Sequence, residues 1–315
     1  MDNFIFSVNV VMPLFILMAA GYAARRFNIV SDKFLSEFSQ FVFKFLIPLM
    51  LFQNVRYVFH GDFSNTSLIF AAIAGVSIVI IVSLCIVPLF IKRSCQRGSM
   101  IQAIYRSNFL IYGLPLATGM YGQEAAHSIS MMLGVIVPFY NVTAVIILSV
   151  FSETRTSRLS LKNLLAGVAG NPLILGCAAG VLFGALRVQI PSVLNRPIDE
   201  LSIAASPLAL FLMGGDFKFK SLNNNLWKVL SATAARLVIV PLAAMLVFIP
   251  MGFRNIDLAV LLCLFCTPTA VSSYIMAANM GCDGELSGQI VVVTTAVSCL
   301  SIFLFIFALK NLCFL

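Results

Sequence analysis

The sequence predicts an all-α polytopic membrane protein of ten transmembrane helices. They form two inverted five-helix repeats, with broken helices 4 and 9 crossing each other. Three observations predict it. The 315 residues are 60% hydrophobic and only 10% charged, with a mean hydropathy of +1.01, more apolar surface than a water-soluble chain of this size can bury. The basic residues fall between apolar runs, concentrated in alternate loops. Proline-bearing motifs recur in the two halves at fixed spacing.

Ten apolar segments can be placed, at about 4–24, 36–56, 67–91, 101–121, 127–151, 163–186, 192–213, 226–250, 257–280 and 286–310; each is long enough to span a bilayer. The first begins MDNFIF, with an acid and no basic leader, and reads as a retained span rather than a cleaved signal peptide. Arg25, Arg26 and Lys33 follow span one, and Lys92, Arg93 and Arg97 follow span three. Arg155, Arg158 and Lys162 follow span five, and Lys218, Lys220 and Lys228 surround the turn after span seven. The intervening loops hold fewer bases, Arg56, then Arg187 and Arg196, then Arg254. The positive-inside rule therefore places loops one, three, five and seven in the cytoplasm and both termini outside it, in a multi-pass protein of the cell (inner) membrane; loop nine, 281–285, carries acids and no base and adds no support. The Ser/Thr/Arg-rich stretch 152–162 reads as the linker between residues 1–153 and 163–315, the two repeats.

Met12-Pro13-Leu14 pairs with Asn171-Pro172-Leu173, and Pro48-Leu49 with Pro207-Leu208; 172−13 and 207−48 are each 159. Ile86-Val87-Pro88-Leu89 pairs with Ile239-Val240-Pro241-Leu242, and Pro115 with Pro268; 241−88 and 268−115 are each 153. An odd number of spans per half turns the second copy upside down, the architecture of alternating-access carriers.

Spans four and nine are each interrupted by proline and small polar residues, at 107–122 (SNFLIYGLPLATGMYG) and 266–281 (CTPTAVSSYIMAANMG). Discontinuous helices in corresponding positions mark a transporter's binding site, because the freed backbone groups need partners. The breaks are expected at Pro115 and Pro268, with Asn108 in the half-helix before the first. Asn108, Tyr112, Gly113 and Thr118 are the first stretch's candidate groups. Thr267, Thr269, Ser272, Ser273, Tyr274 and Asn279 are the second's. Half-helix N-termini with neutral amides and hydroxyls suit an anionic oxygen, although Ser and Thr in membranes also bond back to helices.

Two bases lie within apolar spans. Lys44, near the cytoplasmic end of span two, can snorkel, whereas Arg236 in span eight is deeper. Arg236 is expected either to attract the anion or to tie span eight to the carbonyls of a broken helix. No carboxylate stands at mid-depth to form a proton relay. The eight cysteines lie mostly within or beside apolar runs and read as reduced packing residues. No P-loop, HExxH or GxSxG is present, so the sequence indicates no enzyme, cofactor or metal site.

Taken as a set, IPLMLF, NFLIYGLPLATGMYG, YNVTAVI, NPLILGCAAG, SPLALFLMGG, ARLVIVPLA and CTPTAVSSYIMA resemble the auxin efflux carrier family in its compact prokaryotic form, over essentially the whole chain. The resemblance implies a scaffold of helices 1, 2, 6 and 7 beside a transport domain of helices 3–5 and 8–10. It implies small carboxylates such as malate or malonate as substrates. They would be held by Asn108, the segment at Pro115, Asn141 and the segment from Thr267 through Pro268 to Ser273. Lys44 departs from the uncharged residue expected there, and the short loop after span five argues against auxin.

The expected function is secondary transport of a small organic anion by elevator-like alternating access. The expected partners are that anion and the lipid bilayer, with a homodimer as an option and nucleic acid excluded. Two alternatives differ in kind. One is a sodium-coupled carrier like the bile acid symporters, which needs clustered Glu, Gln and Asn oxygens near the crossing. The other is a non-transporting sensor that keeps the carrier fold.

Overall fold

The computed structural model describes residues 2–58, 65–153, 169–217 and 219–315. Most of the expected linker, the tip of the loop at 62–67 and the start of span six lie outside them. The described chain is helical from end to end: α1 (Asp2–Arg26), α2 (Asp32–Phe41), α3 (Ile47–Val58), α4 (Thr66–Phe90), α5 (Ser94–Tyr105), α6 (Phe109–Tyr121) and α7 (Gln123–Phe151). After the undescribed segment follow α8 (Pro172–Ala185), α9 (Ser192–Asp216), α10 (Phe219–Ala234), α11 (Val240–Phe248), α12 (Asn255–Cys266), α13 (Ser272–Asn279) and α14 (Gly284–Asn311). Among the described residues six helical runs are long and apolar enough to cross a membrane, and α6, α8 and α12 are shorter apolar helices.

Short side chains start several of these helices by accepting an orphan N–H of the first turn. Ser31 caps α2, Asn65 caps α4, Asn171 caps α8 with Pro172 at its first position, and Asp283 caps α14. Two helices cross a wide π turn without breaking: Val42–Leu46 joins α2 to α3, and Ala235–Ile239 joins α10 to α11. Pro48 and Pro241 stand just beyond these turns. A proline lacks an N–H and crowds the carbonyl four residues back, here those of Lys44 and Leu237, and one wider turn relieves that crowding. The second π turn carries Arg236.

Two sets of close packings stand out. Helix α1 lies along α9, and α3 along α8, with α9 also against α3. The second contact requires glycine: a Cβ on Gly176 would sit 2.5 Å from the Pro48 carbonyl oxygen. Small residues allow such approach where membrane helices gain little from apolar burial. Helices α4 to α7 pack on one another and on α10 to α14.

Helices α5 and α12 have 12 residues each, and 255−94 and 284−123 are both 161. The starts of α4 and α10 are 153 apart, since 219−66 is 153, so spacings of both kinds occur; Pro115 and Pro268 nevertheless stand at different places in their elements. Pro115 lies inside α6, and the first break is at Arg106–Asn108, ahead of it. Seven residues into a helix, Pro115 forgoes one N–H bond, which the continuous helix tolerates. Pro268 does lie in its break: it drives Thr267 to extended backbone, with ψ 152°, and so ends α12.

Candidate functional site

The two breaks meet. Ser107 and Thr269 form an antiparallel bridge. The Asn108 N–H donates to the Pro268 carbonyl at 2.7 Å, and the Ala270 N–H to the Arg106 carbonyl at 3.1 Å. Unwound backbone from each broken helix thereby satisfies the other, as a low-dielectric interior demands.

The last four carbonyls of α5 have no acceptor role within their helix, and each finds a donor. Gln102 receives the Arg106 N–H, and Ala103 receives the Thr269 hydroxyl at 2.8 Å. Ile104 and Tyr105 receive Arg236 Nη1 at 3.1 and 3.3 Å. The same guanidinium reaches the other broken helix, from Nη2 to Leu264 at 3.0 Å and from Nε to Thr267 at 2.9 Å. Arg236, with no exposed surface, thus clamps the negative ends of both half-helices. Of its two expected roles the geometry shows the tie to the carbonyls, and Arg236 is not in the wall of the cavity described next.

That cavity, about 50 Å³, lies between the paired breaks, α7, the first turns of α3 and the middle of α9. Arg106, Ser107, Asn108, Tyr140, Asn141 and Ser272 supply its polar groups, and Met50, Leu51 and Val137 its apolar wall. Arg106 is 4% exposed. Its Nη2 donates to Asn141 Oδ1 at 2.7 Å and its Nη1 to the Met276 sulfur at 2.6 Å, both neutral partners. Asn141 is oriented for this by donating its amide to the Val137 carbonyl at 2.7 Å. The hydroxyls of Ser107 and Tyr140 share a 3.1 Å hydrogen bond. Asn108, 5% exposed, has no partner for Nδ2 among the described residues. Helices α6 and α13 both start at this cavity, so their positive ends add to the guanidinium. The arrangement offers one full positive charge, a free amide donor and two helix starts to an anionic oxygen.

The structure brings together Asn108, Asn141 and Ser272 of the expected residues. Pro268 contributes its carbonyl to the bridge, and Thr267 its carbonyl to Arg236. Ser273 and Tyr112 are buried outside the cavity wall, Gly113 lies under the Phe109 ring, and the Thr118 hydroxyl bonds back to Pro115. Sequence reasoning missed Arg106. The signal was available: a third base, in the polar triplet Arg106-Ser107-Asn108, lies inside the expected span four.

Two larger cavities, about 430 and 420 Å³, lie at the end of the bundle that carries Arg25 and Asp32, and share Asp32, Asp216 and Ala278. Lys44 lines the second. There α13 is tied to neighbouring helices: the Tyr274 hydroxyl donates to Asp216 of α9, and the Asn279 amide to Ser39 of α2 at 3.0 Å.

The sequence pattern of the family described as "Membrane transport protein" matches residues 6–306. An "Uncharacterized transporter" of Methanocaldococcus jannaschii is 24% identical over 319 residues, covering 96% of this chain and 99% of that protein. A "Putative malonate transporter" of Rhizobium meliloti is 23% identical, covering 92% of each. An "Uncharacterized transporter" of Methanothermobacter thermautotrophicus is 22% identical, covering 95% and 97%.

Proposed function

Since the chain belongs to the membrane transport protein family, the auxin efflux carrier-like family, we propose that it is a secondary carrier of small organic anions, mono- or dicarboxylates of about the size of malonate. The observation that carries this reading is Arg106: a permanent cation with neutral partners, in a small cavity between two paired helix breaks. A carboxylate there gains a charge-assisted guanidinium partner and the Asn108 amide. The apolar wall of Met50, Leu51 and Val137 suits a short carbon chain. The name of the Rhizobium meliloti relative points to the same chemistry.

In this reading the two halves are inverted repeats. The spacing of 161 shared by α5 with α12 and α7 with α14, and the pairing of the breaks, support it. Helices α1, α2–α3, α8 and α9 form the scaffold, and α4–α7 with α10–α14 the moving body; the cavity lies on their boundary. The body moves elevator-like against the scaffold, with the ends bearing Arg25 and Arg93 in the cytoplasm and both termini outside the cell membrane. The sodium-coupled alternative has less support, because buried guanidinium groups already occupy the crossing and repel a second cation.

Thermal-shift screening of purified protein against mono- and dicarboxylates, followed by flux measurement on the hits, tests the reading. Stabilisation and flux by short carboxylates are expected. A protein stabilised only by cations or by bulky aromatic acids contradicts it.

A further inference from the structure

We propose that this carrier works by exchange, the fixed charge of Arg106 permitting closure around a bound anion and opposing closure of an unloaded site. The inference rests on the anion-carrier reading above and adds a rule of coupling to it.

The two buried guanidinium groups differ in how their charge is balanced. Arg236 donates to carbonyls at the C-terminal ends of α5 and α12. Each such end carries roughly half a negative elementary charge, so together they answer one cation. Arg106 has the Asn141 amide oxygen and the Met276 sulfur, both neutral. The helices that start beside it, α6 and α13, present positive ends. Among the described residues the ion pairs are Arg25–Asp32, Lys33–Glu37 and Arg93–Glu153, none of them at the crossing. The site therefore holds a positive charge that the surrounding protein does not neutralise.

That charge cannot be shed. A carboxylate in such a place takes up a proton when its partner leaves, but a guanidinium stays protonated under all working conditions. Alternating access requires the cavity to be sealed from both sides of the membrane at some point in the cycle. Here Arg106 is already 4% exposed in a cavity of about 50 Å³. Sealing the guanidinium and the two positive helix ends, together about two positive charges, around a dicarboxylate buries a neutral assembly. Sealing the guanidinium unpaired buries an isolated charge, which is strongly disfavoured. The loaded form then crosses readily in either direction and the unloaded form rarely. Net flux in one direction is thereby replaced by one anion in for one anion out.

The test uses the full chain reconstituted in vesicles with the membrane potential clamped at zero, and radiolabelled malonate outside. Initial uptake is compared between vesicles filled with unlabelled malonate and vesicles without it. Uptake about tenfold or more faster into filled vesicles is expected, given the penalty on the unloaded form. Arg106→Lys should keep the preference. Arg106→Gln, at saturating malonate, should bring the ratio towards one while raising KM. Equal uptake into filled and empty vesicles by the unaltered protein overturns exchange and leaves the carrier reading intact. A preference undiminished in Arg106→Gln overturns its assignment to Arg106. No uptake in either condition overturns the malonate-carrier reading, and exchange with it.

Discussion

Arg106 and Arg236 carry the same charge into the same bundle and have opposite surroundings. Arg236 meets four backbone carbonyls and holds the two broken helices at their distance from one another. Replacing it leaves those carbonyls buried, at about 1–3 kcal/mol for each that finds no new donor. Arg236→Ala should therefore lower the melting temperature by several degrees and reduce flux. Lys44→Ala, on an exposed side chain with one long contact to Gln40, should change melting little. Melting curves of the two variants at matched expression decide it; equal loss would mean that Lys44 has a structural partner of its own. Asn108→Ala removes the cavity's free amide, whose hydrogen bond to a carboxylate is worth about 1.5–3 kcal/mol, hence a Kd for malonate weaker by roughly tenfold or more. Thr267→Val should leave Kd unchanged, since that hydroxyl is not in the cavity wall. Titration of both variants separates the cavity from the residues merely near it.

Among the elements, the broken helices show what proline can and cannot mark. Pro268 ends α12 because it forces the residue before it out of helical backbone. Nothing comparable ends α5; Arg106 and Ser107 are extended because they pair with Thr269 and Ala270 from the far half of the chain. A proline-based reading consequently misplaced the first break by several residues, to Pro115. The polar triplet at 106–108 was the better local mark, and its partner could be known only from the fold. Pro115→Ala should accordingly leave malonate binding within about twofold, as a helix-interior residue it makes more regular. Pro268→Ala should weaken it by extending α12 into the bridge. Comparable losses in both would put a functional break back at Pro115. The packing of α3 on α8 is open to a similar check. Gly176→Val drives a side chain into the Pro48 carbonyl and should destabilise the protein by about 1–3 kcal/mol.

For the molecule as a whole, the span positions were legible because a bilayer demands long apolar helices, and α1, α3, α4, α7, α9 and α14 end within a few residues of the expected bounds. Inter-helix pairing was less so, because it depends on glycine contacts and on hydrogen bonds between distant segments such as Asn108 with Pro268. Of the candidate site, the neutral groups Asn108, Asn141 and Ser272 were readable, and the charge that gives them a purpose was not. A base five residues into an expected span looks like a snorkelling end until the helix is seen to break there. Orientation follows from loop charge and has its own test. In a background lacking native cysteines, single cysteines placed at 62–67 should react from outside intact cells, and those at 94–99 should not. Labelling of both from one side contradicts the inverted arrangement.

Arg106 as the ligand of the carried anion is open to direct measurement. The most direct measurement of that role is the Kd of malonate for the parent and for Arg106→Gln, by calorimetric titration of stable, monodisperse protein. A hydrogen bond to a charged group contributes about 1.5–3 kcal/mol, so the variant should bind roughly tenfold to a hundredfold more weakly, with Arg106→Lys between the two. Malonate bound as tightly by Arg106→Gln as by the parent would contradict the account.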